Sequence, residues 1–334
     1  MACRGSTVRT AFLLAAAGAA SGCTTLPADQ DYPGPVPLPS GLAARFDYVR
    51  DPSVPHIDFD PPQEGGGVVR RDGRMYLPRS GKITPGWRPV RYWLPASADA
   101  GGAAPVPAVL VLPMLGGPHP LIDSLCRSLA DHGFAAFQLG RVFRDIHTGQ
   151  SPERLEAALV EGTLEARRAL DWLESRPEID PTRLGAAGIS LGGIRLAILA
   201  AVEPRLRASV IAFAGADLAE ILSDSAEPAV AVYREAVMAR DRLDAEGFRV
   251  RCRRALLSDP LHLAGHIDAR RTLLVLGDFD GAVPARSGEL LGELIGGPET
   301  IRLPTGHWGA VFFFNFLRGP VMEFLDRRLP GPPA

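Results

Sequence analysis

A net charge of −2 over 334 residues, with 22% charged and 46% hydrophobic residues, is the balance of a soluble globular protein. It leaves no basic footprint for a nucleic acid or another polyanion. One α/β core can absorb most of such a length, so a single main domain with attachments is expected.

At the N-terminus, Arg4 and Arg9 precede an apolar run from Ala11 to Ala20, and Ala20-Ser21-Gly22-Cys23 follows. A positive start, a short apolar stretch and small residues read as an export signal over residues 1–22, too short to span a bilayer as a mature helix. The small residues before a cysteine resemble the lipobox of bacterial lipoproteins, with Ala20 where that family usually has Leu. The resemblance implies that Cys23 is lipidated and becomes the new N-terminus, which gives the protein a membrane as partner. It also implies an outer-membrane-anchored lipoprotein of the bacterial cell envelope, facing the periplasm or the outside, because Thr24 is not the aspartate of inner-membrane retention. An ordinary signal cleaved nearby is the alternative.

Residues 23–67 are rich in proline, from Pro27 to Pro62, and show little periodicity. They read as a semi-extended tether, or as irregular chain lying along the folded body. From about residue 68 to 330, strands alternate with helices, which implies a mainly parallel sheet with helices on both faces. Strands are expected at Val90–Leu94, Val106–Leu112, Phe134–Leu139, Arg183–Ile189, Ala208–Phe213, Thr272–Leu276 and Thr300–Leu303. Leu121, Ile122, Leu125 and Leu129 mark one helix, and Ser151-Pro152 opens another as N-cap and first-turn residue. A polar-apolar helical stretch runs from about 218 to 257, with Val230, Tyr233 and Val237 on one face; Arg249, Arg251, Arg253 and Arg254 read as a solvated face. Cys126 and Cys252 lie in apolar, helix-like surroundings, where a buried thiol is commoner than a bridge. With no C-x-x-C or H-E-x-x-H, no metal or other cofactor is expected.

Three loops carry chemistry. Gly188-Ile189-Ser190-Leu191-Gly192 joins an apolar strand to a small-residue helix, and such a turn strains and exposes its serine. Gly277-Asp278-Phe279-Asp280-Gly281 puts two acids at the carboxyl end of a buried strand, where catalytic groups of such sheets gather. Gly306-His307-Trp308 places an imidazole after the next strand. Serine, acid and histidine in that order suit a relay in which His307 takes the proton of Ser190 and a carboxylate fixes the imidazole. His119 and His147 also follow strands near this edge and read as substrate-binding groups or as loop polarity. Trp308 and Val311 to Phe314 read as pocket wall or, for most of the run, as core.

The chain resembles the α/β-hydrolase superfamily over roughly residues 88–328, at the elbow Gly188, Ser190 and Gly192, the acid loop Gly277, Asp280, Val283 and Pro284, and the histidine loop Gly306 and His307. Its general layout is most similar to the dienelactone-hydrolase and acetyl-esterase-like branch, with serine where dienelactone hydrolases have cysteine. The resemblance implies Ser190 as nucleophile, His307 as base, Asp280 rather than Asp278 as its partner, and the backbone N–H groups of Leu191 and Leu115 as oxyanion donors. At the oxyanion loop Pro113 and Met114 replace the usual His and Gly. It also implies that 218–257, after the strand the superfamily counts sixth, is a lid-like insertion. The implied activity is hydrolysis of a small-molecule carboxylic ester through an acyl-enzyme, with amidase, peptidase or acyltransferase activity on the same fold as neighbouring readings. A non-catalytic envelope lipoprotein that binds a partner through a hydrolase fold is the reading from a different class.

Overall fold

The computed structural model describes residues 22–51, 55–100, 104–117, 119–140 and 149–331. The export-signal residues 1–21 and His147 therefore lie outside the described residues. Among the described residues, eleven strands make one sheet: β1 (Thr24–Leu26), β2 (His56–Phe59), β3 (Gln63–Gly65), β4 (Val68–Leu77), β5 (Gly86–Pro95), β6 (Val106–Leu112), β7 (Ala135–Leu139), β8 (Ile179–Ile189), β9 (Leu206–Ala212), β10 (Thr272–Gly277) and β11 (Glu299–Leu303). Their order is β1-β11-β10-β9-β8-β6-β7-β5-β4-β2, with β3 on β4. The six strands from β7 to β11 are mutually parallel, and the outer strands add antiparallel borders.

The parallel strands are apolar because both of their faces are covered. Successive side chains point to opposite faces, so Leu110 and Leu112 of β6 join one hydrophobic cluster while Val109 and Val111 join the other. The first cluster is covered by the long helix Pro152–Glu174 and the helix Leu191–Val202. The second is covered by Pro120–Asp131 and Phe314–Arg328, through Ile122, Leu129, Phe324 and Leu325. Ser151 caps its helix as expected, its Oγ accepting the N–H of Arg154 at 3.3 Å, with Pro152 in the first turn.

After β9 the chain makes three helices, Leu218–Asp224, Pro228–Asp241 and Ala245–Ala255, and then the short helix Pro260–Leu263 before β10. Val230, Tyr233, Val237, Phe248 and Cys252 of these helices are buried in the first cluster. Arg249 and Arg251 face outward to acidic partners, while Arg253 donates to Asp217 at 2.8 Å. Cys126 and Cys252 belong to different clusters and form no bridge. Burial pushes the Cys252 thiol up to about 12.

Of the two readings of the Pro-rich segment, its described residues follow the second and lie along the body. β1 pairs with the edge strand β11, which shields that edge from stray pairing. Asp29 N–H donates to Gly297 at 2.8 Å, Tyr32 O–H to the Ile267 carbonyl at 2.9 Å and Tyr48 O–H to Asp171 at 2.8 Å, and Phe46 is buried. Proline gives such a segment an extended shape without requiring it to stand away from its neighbours.

Candidate active site

β8 ends at Ile189 and a helix begins at Leu191, so Ser190 alone makes the turn, with φ 58° and ψ −125°. A non-glycine residue at positive φ is strained and is held only by its surroundings. Those surroundings are backbone. Ser190 N–H donates to Ala212 at 2.9 Å and its carbonyl accepts Ile194 N–H at 3.0 Å. A Cβ at Gly188 would stand 2.3 Å from the Gly192 carbonyl oxygen, and one at Gly192 would stand 2.2 Å from that of Leu112. Neither position can carry a side chain without opening the turn.

The two acids of the next loop have separate tasks. Asp280 Oδ1 accepts the N–H groups of Ala282 and Val283, both at 2.9 Å, which leaves Oδ2 to receive His307 Nδ1–H at 2.7 Å. Asp278 instead receives Arg302 Nε–H at 2.8 Å and is tied to β11 by its own N–H to Leu303 at 2.9 Å. His307 opens a short 3-10 helix, His307–Phe313, and its Nε2 lies 2.9 Å from Ser190 Oγ. With Nδ1–H held by the carboxylate, Nε2 is left as the acceptor of the serine proton, the tautomer that base catalysis needs. Phe213, at the end of β9 with φ 50°, sets its ring edge-on to the imidazole at 5.8 Å. No turn residue or motif marks Phe213 in the sequence, because its position follows from which strands are neighbours.

Ser190 and His307 stand in an open cleft of about 740 Å³. Leu115, after β6, and Leu191, at the helix start, both line it beside Ser190. The first N–H groups of a helix have no intrahelical acceptor, so Leu191 can donate to an anion formed there. Met114, Leu155, Leu159, Ile194, Val283 and Trp308 supply apolar wall, and Leu218, Ile221, Leu222, Glu227 and Val230 close the cleft from the three-helix insertion. The contributions of Leu155 and Leu159 were invisible as such in the sequence, where they read only as the apolar line of a helix. The Val311–Phe314 run, read mainly as core, is divided: Phe313 is buried, Phe314 half-buried, and Val311 and Phe312 are exposed because the 3-10 helix turns them outward. His119, read as a substrate-binding group or as loop polarity, has a local structural contact. It is the N-cap of Pro120–Asp131, its Nδ1 accepting Leu121 N–H at 3.1 Å.

The strand order, with a serine elbow after β8, an acid after β10 and a histidine after β11, is that of one superfamily. The protein has the α/β-hydrolase fold. Residues 95–237 of this chain match the sequence profile of the dienelactone hydrolase family, a stretch that contains Ser190 and ends before the acid and histidine loops. No curated protein matches the chain by sequence. Among solved structures, this chain is similar to an acetyl xylan esterase from a Paenibacillus species, at 19% identity and a TM-score of 0.65 over 86% of this chain and 92% of that one. It is also similar to acetyl xylan esterase 1 from a Thermoanaerobacterium species, at 17% identity and a TM-score of 0.60 over 88% and 96%. A puromycin-hydrolyzing peptidase of Mycobacterium tuberculosis shares the fold at 15% identity and a TM-score of 0.55, over 82% of this chain and 47% of the peptidase. At these identities the likeness is one of fold.

Proposed function

We propose that the protein is an exported serine esterase acting on neutral, apolar carboxylic esters through an acyl-enzyme. The observation that carries this reading is the pair of contacts at His307, 2.9 Å from Ser190 Oγ on one side and 2.7 Å from Asp280 on the other. Ser190 Oγ attacks the ester carbonyl carbon while its proton passes to His307 Nε2. The carbonyl oxygen becomes an oxyanion held by the N–H groups of Leu191 and Leu115, each such donor being worth about 10²–10³ in turnover. As the intermediate collapses, the bond to the alcohol oxygen breaks and His307 gives that oxygen its proton. Water repeats the sequence on the acyl-enzyme and releases the acid. Asp280 holds the imidazole in place and stabilises its charged form throughout, without accepting the proton itself.

The apolar wall favours the substrate class, since each methylene taken from water into it contributes about 0.8 kcal/mol. Glu227, a charged residue lining the cleft, disfavours anionic substrates. The acetyl xylan esterases among the structural neighbours support an ester substrate, beside a peptidase on the same fold. Labelling with a fluorophosphonate and assay with aryl esters of increasing acyl length test the proposal: the folded protein is expected to be labelled at Ser190 and to turn over the neutral esters. A folded protein that takes no label and cleaves none of them overturns it.

The same reading places the protein in the cell envelope, carried by Ala20-Ser21-Gly22-Cys23, with Cys23 bearing a diacylglyceryl group. Mass spectrometry of the N-terminal peptide is expected to find that group on Cys23; an unmodified N-terminus elsewhere rejects it. No helix among the described residues is long and apolar enough to cross a membrane.

A further inference from the structure

The rim of the cleft on the histidine side is apolar and exposed. Phe279, next to Asp280, is 73% exposed, and Trp308, Val311 and Phe312 of the helix opened by His307 are 61%, 48% and 70% exposed. The two loops adjoin, because Phe279 N–H donates to the Thr305 carbonyl at 3.1 Å and Gly306 packs against the Phe279 carbonyl. Three of the five large aromatic residues exposed among the described residues are therefore gathered at one place: Phe279, Trp308 and Phe312, apart from Tyr76 and Trp87. Contiguous exposed apolar surface of this kind marks an interaction site.

The beginning of the described chain arrives at this same rim. In the antiparallel pair of β1 and β11, Thr24 stands opposite Arg302, which brings Cys23 level with Leu303 and Gly22 level with Pro304. A Cβ on Gly22 would lie 3.0 Å from the Pro304 ring, three residues before His307. Because β1 starts at the residue after Cys23, no linker separates that residue from the folded body. A lipid on Cys23 would thus fix the orientation of the body as well as its location, in contrast to an anchor on a flexible tether.

We propose that this rim docks on a lipid bilayer: the lipid of Cys23 and the side chains of Phe279, Trp308, Val311 and Phe312 enter one leaflet together, and the mouth of the Ser190 cleft faces the membrane surface. The inference rests on the anchoring at Cys23 proposed above and deepens the choice of substrate to apolar esters that partition into the bilayer. The amphipathic ring of Trp308 suits the headgroup boundary, and the wholly apolar rings of Phe279 and Phe312 suit the acyl region beside it.

The test uses the full chain produced in a bacterium and reconstituted with vesicles of phosphatidylethanolamine and phosphatidylglycerol, with or without brominated acyl chains. Tryptophan fluorescence is expected to be quenched by the brominated vesicles in the parent chain and in Ser190→Ala, and to lose that quenching in Trp308→Leu. The double variant Phe279→Ser/Phe312→Ser is expected to lose at least half of the quenching while its melting temperature and its turnover of a water-soluble aryl acetate stay near the parent's. The mass of the N-terminal peptide from the same sample separates the two ideas. A lipid-modified chain whose Trp308 is not quenched overturns the docking and leaves the anchor standing. An unmodified chain whose Trp308 is quenched on adding vesicles supports the docking while the anchor falls, and an unmodified, unquenched chain overturns the docking. Equal quenching in Ser190→Ala keeps the result independent of whether the protein is an esterase.

Discussion

Gly188 and Gly192 have no room for a methyl group, whereas Leu218, Ile221, Leu222 and Val230, which line the same cleft, are ordinary apolar side chains on helices of the insertion. The floor of the cleft is set by backbone: strand ends, a strained serine and three loops joined by hydrogen bonds of 2.7–2.9 Å. Its cover is set by side-chain packing, which tolerates exchange among residues of similar volume. The contrast teaches that floor residues should control whether a bond is broken, and cover residues which substrate is broken.

The largest expected effect is on the floor. Ser190→Ala should fold, with an unchanged melting temperature, and lose on the order of 10⁶ in turnover. A folded variant with near-parent turnover breaks the comparison at its root. Next comes Asp280→Asn, expected to lose up to about 10⁴ in turnover by favouring the wrong imidazole tautomer. Its neighbour sharpens the point: Asp278→Asn removes only the charge facing Arg302, so it should cost at most about 1 kcal/mol in stability and leave turnover near the parent's. Kinetics and thermal melts of the two variants decide, and a larger catalytic loss in Asp278→Asn reverses their roles.

On the cover, Leu222→Ala enlarges the cleft by removing a buried side chain. It should raise the ratio of long- to short-acyl turnover by about tenfold, within the roughly 1–3 kcal/mol that a pocket assigns to a methylene, and lower stability by about 2–5 kcal/mol. A constant ratio in the folded variant would make the insertion packing alone.

The smallest effect concerns how the cover is attached. Asp259 accepts N–H groups from Leu218 at 2.5 Å and Leu261 at 2.8 Å, at the first turn of helix Leu218–Asp224. Burial lifts its carboxyl to about 7, against the downward pull of those two N–H groups. The folded state therefore keeps this proton up to a higher pH than the unfolded chain does. The resulting stabilisation is fully present below pH about 4 and is lost as pH rises toward 7. Asp259→Asn should flatten that slope, by about 1–2 kcal/mol between pH 4 and 7, measured by denaturant unfolding relative to the parent. An unchanged slope would mean that Asp259 is ionised in both states.

Ser190, Asp280 and His307 were legible because each sits in a loop whose neighbours are restricted for backbone reasons, and backbone restriction leaves glycine and proline in the sequence. The strands were legible as apolar runs, since a strand covered on both faces has no polar side to show. The bounds of β5 extend beyond the expected Val90–Leu94 to Gly86–Pro95, because its pairing with β4 continues past the apolar centre. Phe213 could not be assigned to His307 from sequence, nor Leu155 and Leu159 to the cleft, as each reads as plain core until the elements around it are neighbours. The same holds for the Pro-rich segment, whose composition fits both a free tether and a strap; only the contacts of β1, Tyr32 and Tyr48 decide between them. By itself, then, the sequence determined the strands from β5 to β11 with the helices between them and the three chemical loops, while β1 to β4 were missed, because periodicity and glycine placement are local properties and border strands carry little of either. Only the tertiary structure decided what lines the cleft, that Phe213 meets His307, and that Cys23 ends beside the rim, because these depend on which distant segments pack together.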